Sequence, residues 1–390
     1  MKFDLYLSEM SVSDKHGGGL TLQRILGDDL NSIEKFVHVN RFAADYNVKG
    51  DFAGRAMDLF SIWETDLLRT LIGRSRASRM SKRLPMIKMH ANRAAKKIAA
   101  TFAGKQELTA LVCPQGANAI FTLEALKKLK PVKYITWVMD DHLVRYQNDA
   151  WQYPDGTEEV FANHLRQAAH VFVISPDMQA FYKERFSVES TVLFGSSGAA
   201  ANTLVQNGSV AGKLKIGYFG AVAAWQKDAL AAVGAALKGT DVQLDIYSGI
   251  NKLPPELDAE GVNFRGSVPP AQVLTQMQNY DAVLIPISFQ QKLRNMSQFN
   301  IATKMSEYLA CGLPILAVGP PYAAMINYLG NNKAAVTVAS ASEADIRAGF
   351  AQLRNAEHTA KLLKNAQKLV EDEVGTAPMH KVWQSVAAKW

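Results

Sequence analysis

Lys304 and Glu307 stand three residues apart in SQFNIATKMSEYLACG, a spacing that puts both side chains on one face of a helix. Asn300 or Thr303 can cap the start of that helix, and Gly312 and Pro314 end it. Just upstream, a polar loop supplies Lys292 and Arg294. Helix N-terminus, flanking cations and one carboxylate together form a cradle for a nucleoside diphosphate, with the carboxylate accepting from ribose hydroxyls. An ordinary surface ion pair has the same spacing.

Three other places could carry chemistry. KIGYFGAVAAWQKDAL puts Gly220 at a strand end, followed by a loop and helix start with Lys227. In open α/β sheets ligands gather at the carboxyl ends of such strands. The run His16, Gly17, Gly18, Gly19 precedes a helical stretch, so its backbone could approach an anion closely. It matches neither a dinucleotide fingerprint nor a Walker loop, and a plain tight turn reads equally well. YITWVMDDHL ends a strand in Asp140, Asp141 and His142, an arrangement able to orient a hydroxyl, supply a base, act as a metal-ligand pair, or merely cap a helix.

The elements that must position these residues alternate. Strand-length apolar runs (KFDLYLS, KFVHVN, ALVCP, YITWVM, VFVIS and TVLF, then KIGYFG, VQLDIYSG, VNFRG, DAVLIPI and PILAVG) are separated by helix-like stretches. Strands apolar throughout belong to parallel sheets covered on both faces, so the pattern predicts an α/β chain of two doubly wound domains. The chargeless, Gly- and Ser-rich segment 195–212 reads as a linker between domains at 1–194 and 213–374. The tail, 375–390, reads as a helix with aromatic anchors Trp383 and Trp390, able to fold back on the first domain.

Of 390 residues, 48% are hydrophobic and 20% charged, which supports real cores and excludes global disorder. The net charge of +7 is concentrated: 69–105 holds eleven Lys and Arg and no acid. After Pro85, Ile87, Ala91, Ala94, Ile98 and Phe102 recur at helical spacing, with Lys88, Arg93, Lys96 and Lys97 on other faces. Such a helix suits an anionic membrane surface, although a solvated helix face has the same pattern. No nucleic-acid partner is expected, because stacking aromatics and recognition motifs are missing. Asp4 and Glu9 interrupt what a signal peptide would keep apolar, and Cys113 and Cys311 form no framework, so a reducing, cytoplasmic setting is expected. Neither His-Glu-x-x-His nor Cys-x-x-Cys occurs, so no metal site is expected.

SQFNIATKMSEYLACGLPILAVG resembles the C-terminal signature of the GT-B glycosyltransferases, above all family 4, through Lys304, Glu307, Tyr308, Ala310, Gly312 and Pro314. VNFRGSVPPAQVLTQMQNYDAVLIPI and KIGYFGAVAAWQKDAL resemble the preceding segments of the same domain, and HGGG resembles the family's N-terminal loop. The resemblance is specific from Lys213 to about Lys381 and topological before that. Two positions depart from the pattern: Phe299 stands where the family has the first of two acids, and Ala221 where it commonly has Arg.

The resemblance implies two Rossmann-like domains flanking a cleft, a C-terminal helix crossing back, and sugar transfer with retention from a nucleotide sugar to a saccharide or lipid-linked acceptor. It implies no obligatory metal or other cofactor, and a peripheral position on the inner membrane face. On the donor it would place Gly18, Gly19, Gly220, Lys227, Ser248, Gly249 and Val268, with Lys292, Arg294, Lys304 and Glu307. His16, Asp141 and His142 would serve the acceptor side. A nucleotide-sugar 2-epimerase of the same architecture, or a non-catalytic nucleotide-sugar binder, are the alternatives.

Overall fold

The computed structural model describes residues 2–13, 17–39, 52–196, 212–269 and 272–390. His16 and most of the expected linker lie outside the described residues. The chain divides into two compact units, one of residues 1–194 and 380–390, the other of 195–379.

The first unit is built on strands β1 (Leu5–Ser8), β2 (Lys35–His38), β3 (Ala56–Asp58), β4 (Leu108–Cys113) and β5 (Val132–Val138), then the hairpin β6 (Arg145–Gln147) and β7 (Ala150–Gln152), and β8 (His170–Val173) and β9 (Thr191–Val192). Seven of them form one parallel sheet in the order β3-β2-β1-β4-β5-β8-β9. Leu5 pairs with Lys35 of β2 on one side and Ala110 of β4 on the other, so the strand order reverses at β1 and β4. Both faces of β1 are buried, as its unbroken apolar run requires. The hairpin turns through Asn148 and Asp149, whose φ values of 50° and 57° are those of a type I′ turn.

The second unit repeats the plan with β10 (Leu214–Phe219), β11 (Val242–Tyr247), β12 (Val262–Gly266), β13 (Ala282–Pro286), β14 (Ile315–Val318) and β15 (Val336–Val338). They form a parallel sheet in the order β12-β11-β10-β13-β14-β15, reversing at β10 and β13. Leu214, Ile216, Leu244, Leu284 and Leu316 make its core with Leu230, Val233, Ile346 and Phe350 from the covering helices. Each unit is thus a Rossmann-like doubly wound sheet with its switch point beside its first strand.

The last helix is Thr376–Ala387. Trp383 is fully buried against Phe3 and Phe172, and its indole N–H donates to Asp29 Oδ2 at 2.7 Å. Trp390 packs 5.7 Å from the Phe3 ring. No helix among the described residues is long and apolar enough to cross a membrane.

Candidate functional site

In the second unit, the carboxyl ends of β10, β11 and β12 lie side by side. Phe219 pairs with Tyr247 and stacks on it, with ring centroids 4.7 Å apart, and the Gly220 N–H donates to the Tyr247 carbonyl at 2.9 Å. Ser248 donates its N–H to Gly266, leaving a buried hydroxyl with no partner among the described residues. Gly249 is exposed with open space over its Cα, and Val268 is half-buried beyond β12.

Lys304, in the first turn of the helix Thr303–Ala310, reaches back to these strand ends. Its ammonium lies 4.4 Å above the Tyr218 ring and donates to the Tyr218 hydroxyl at 3.3 Å. A Cβ on Gly220 would overlap that ammonium, so the glycine is what admits it. Desolvation pulls the Lys304 pKa down to about 8, against the opposing charge of Glu307 one turn on. The next residue fixes the helix: the buried Tyr308 hydroxyl accepts from the Phe219 N–H at 3.0 Å and donates to the Phe219 carbonyl at 3.2 Å. That helix start has no side-chain cap, and its N-terminal end faces the strand ends that Lys304 reaches.

The other expected cations are placed differently. Lys227 forms an exposed ion pair with Glu256 at 2.5 Å. Arg294 stacks 4.4 Å over Tyr322 and donates to Gln298, while Lys292 on the same 3-10 helix, Gln291–Met296, is exposed. Phe299 is buried in the core.

In the first unit, Gly18 and Gly19 do not form the open loop expected from their run. They belong to the first turns of the helix Gly17–Leu26, and a Cβ on Gly18 would strike the Met10 side chain. The smallness of Gly18 leaves room for that side chain. Asp141 also departs from its expected role. It is buried, its Oδ2 accepts from the hydroxyls of Tyr153 at 2.7 Å and Tyr182 at 3.0 Å, and its Oδ1 accepts from the N–H groups of Val144 and Leu143. Four donors consume the oxygens, so this carboxylate ties a turn together. Its neighbour Asp140 is more accessible, with Oδ2 3.7 Å from His142 Nε2. Desolvation, aided by the Asp141 charge, pushes the Asp140 pKa up to about 7, and burial lowers that of His142.

His142 lines a cavity of about 810 Å³ at the switch point, together with Glu9, Gln115, Asn118, Lys82 and Arg145 and the apolar Leu84, Ile87 and Leu143. Glu9, directly after β1, accepts from the N–H groups of Gln115 and Ala119 at 2.8 Å each and so caps the helix Ala117–Lys127 from across the sheet. Burial raises its pKa, against these backbone bonds. The Gln115 side-chain nitrogen has no partner among the described residues. In the sequence Glu9 signified only a charge at the N-terminus; no motif marks it. Nor does any group of His, Cys, Asp and Glu among the described residues assemble a metal site.

The basic helix spans Leu84–Thr101. Ala91, Ala94 and Ile98 are buried with His90 and Ala95, while Lys88, Arg93, Lys96 and Lys97 are exposed. On the nearby helix Asp66–Ile72, Leu67 and Leu71 are exposed to 71% and 70%, on one face at i and i+4.

No family model and no curated protein matches the chain. Solved structures do. HepE of Anabaena, in complex with UDP and glucose, is similar at a TM-score of 0.62 and 13% identity over all of both chains. Sucrose-phosphate synthase of Thermosynechococcus elongatus matches at 0.66 and 13%, over 99% of each chain. The α,α-trehalose 6-phosphate synthase of Burkholderia multivorans matches at 0.63 and 10%, over all of this chain and 98% of that one. At such identities the likeness shows the fold: the chain has the two Rossmann-like domains of the GT-B architecture with a helical C-terminus.

Proposed function

We propose that the chain is a glycosyltransferase that moves a sugar from a nucleoside-diphosphate sugar to a saccharide or lipid-linked acceptor, with retention and without an obligatory metal. The second unit takes the donor and the first the acceptor. The observation that carries this reading is the half-buried Lys304 ammonium, admitted by Gly220 at the β10 terminus and set at an uncapped helix start. A cation partly stripped of water and a helix N-terminus stabilise the charge that builds on a departing diphosphate. Glu307 on the same face holds ribose hydroxyls, and Lys292 and Arg294 stand on the following β13 loop. For retention, the departing phosphate takes the acceptor proton. UDP in the HepE complex favours a uridine nucleotide for this fold.

The exposed cations of Leu84–Thr101 suit a peripheral position on an anionic, cytoplasmic membrane face. The first test is a thermal-shift screen of UDP-, GDP-, dTDP- and CMP-sugars beside the free nucleotides. A ligand at about a hundred times its Kd adds about 2.7 kcal/mol to the stability of the state that binds it. A selective rise with one nucleotide class is expected. No rise with any of them at millimolar concentration overturns the donor site.

A further inference from the structure

A second, smaller cavity of about 90 Å³ lies in the first unit, walled by Asp58, Leu59, Phe60, His90, Arg93 and Lys97. It has room for about three waters' share of liquid, or one tetrahedral oxyanion. His90, Arg93 and Lys97 follow one another at spacings of three and four on Leu84–Thr101, so one helix face presents all three to it. Arg93 and Lys97 carry no ion pair among the described residues. His90 is 95% buried, and its Nε2 has no partner among the described residues. A buried imidazole nitrogen left unbonded is costly, which marks a place where a ligand is awaited. From the other wall, Asp58 faces the cavity with Oδ1 held by His38 Nδ1 at 2.7 Å. Among the described residues, two cations against one paired carboxylate leave the cavity positive.

We propose that this cavity binds a phosphate group that carries a proton, a phosphomonoester or inorganic phosphate, with Arg93 and Lys97 balancing its charge and His90 Nε2 accepting from its P–OH. The remaining ring nitrogen of His90 is bonded to the Val39 carbonyl, which fixes the tautomer with the lone pair on Nε2. Burial and Arg93 hold the His90 pKa down to about 4, so the ring is neutral at physiological pH and accepts rather than donates. A phosphodiester has no P–OH to offer and would have to meet a protonated imidazole in a desolvated place. The site therefore discriminates monoester from diester. This inference is independent of the donor site.

Calorimetry of the full chain with inorganic phosphate, phenyl phosphate and dimethyl phosphate tests it. Phenyl phosphate is expected to bind, dimethyl phosphate at least about tenfold more weakly. Because a monoester loses its last proton near pH 6, affinity should fall at least about threefold from pH 6 to pH 8. His90→Leu is expected to weaken binding about tenfold, whereas His90→Gln, whose amide also donates, keeps binding and loses the pH dependence. Arg93→Ala/Lys97→Ala, at exposed positions, removes binding, and Lys304→Ala leaves it unchanged, which separates this site from the donor site. Vesicles distinguish the sources. A lipid headgroup predicts tighter binding to phosphatidate than to equal phosphatidylglycerol in phosphatidylcholine, abolished in the double variant. A soluble phosphate ester predicts no such preference while phenyl phosphate still binds. Absence of phosphate binding at pH 6 at millimolar concentration, or equal binding by the Arg93/Lys97 variant, overturns the proposal.

Discussion

A methyl group on residue 220 would occupy the space that the Lys304 ammonium fills. Glycine at the end of β10 and lysine on the helix after β13 are therefore one device, assembled from positions 84 residues apart in the chain. Gly220→Ala is expected to displace the Lys304 head and weaken UDP binding about tenfold, roughly 1.4 kcal/mol. If the glycine acts through the lysine, the same substitution in a Lys304→Ala background changes UDP affinity little, which a double-mutant cycle by calorimetry reads directly. Additive losses would show that the glycine contributes by another route.

Lys304 also sets a pH dependence, with opposite signs for binding and for stability. Its pKa lies near 8 in the fold and near 10.5 when solvated. Diphosphate binding needs the ammonium, so UDP affinity should fall about tenfold between pH 7 and pH 9. Unliganded stability should move the other way, because from about pH 8 to 10.5 the unfolded chain holds the proton that the folded one has lost. Lys304→Met is expected to abolish the binding dependence and raise Tm at pH 7. A pH-independent UDP affinity in the unsubstituted chain would place the ammonium outside the site.

Asp141 makes a contrasting prediction. With four donors aimed at its oxygens, Asp141→Asn turns an amide NH₂ against at least one of them and should cost about 3 kcal/mol, seen as a fall in Tm. Transfer activity per folded molecule should survive. His142→Ala, in the wall of the 810 Å³ cavity, and Asp140→Asn, beside His142, should not lower Tm and should reduce activity. Since the Asp140 pKa is near 7 with burial as its main cause, an activity that needs its carboxylate rises with pH through 7. Loss of that limb in Asp140→Asn is the signature to look for.

What the sequence discloses and what it conceals follow from how each feature is encoded. Eleven strands are legible as apolar-rich runs of strand length, because most are buried on both faces and have few polar positions. The three-residue β3, the β6–β7 hairpin and β15 are too short for periodicity to register. At the site, Lys304, Glu307 and Tyr308 are legible together because one helix turn carries them. Asp140 and Asp141 are adjacent and chemically identical, and only the positions of Tyr153 and Tyr182 decide which of them is consumed by the fold. Glu9 is hidden for the same reason: its partners, Gln115 and Ala119, lie more than a hundred residues away. Gly18 misleads, since a close approach to Met10 and a close approach to an anion call for the same residue.

Glu9 is the least expected of these residues and carries its own test. Its carboxylate supplies the cap that the helix Ala117–Lys127 lacks in its own sequence, where Gly116 has no side chain to offer. Glu9→Ala should therefore cost about 1 to 2 kcal/mol of first-unit stability, whereas Glu9→Gln, which keeps one accepting oxygen, should cost less. A carboxylate that touched only substrate would show the reverse, with unchanged Tm in both variants.

The basic helix gives the last prediction. Lys88, Arg93, Lys96 and Lys97 share the exposed side of Leu84–Thr101, opposite Ala91, Ala94 and Ile98. At about 1 kcal/mol per cation near anionic lipid, reversing all four to Glu removes about 4 kcal/mol of attraction and adds repulsion. Co-sedimentation with phosphatidylglycerol vesicles should be lost, and in the unsubstituted chain it should weaken as salt shortens the screening length. Leu67→Asp/Leu71→Asp, which alters no cation, separates two ways of attaching: it should weaken binding even at high salt if the exposed leucines enter the interface, and leave it intact if charge alone acts. Equal vesicle binding by the charge-reversed chain would end the membrane reading and leave the helix as a solvated face.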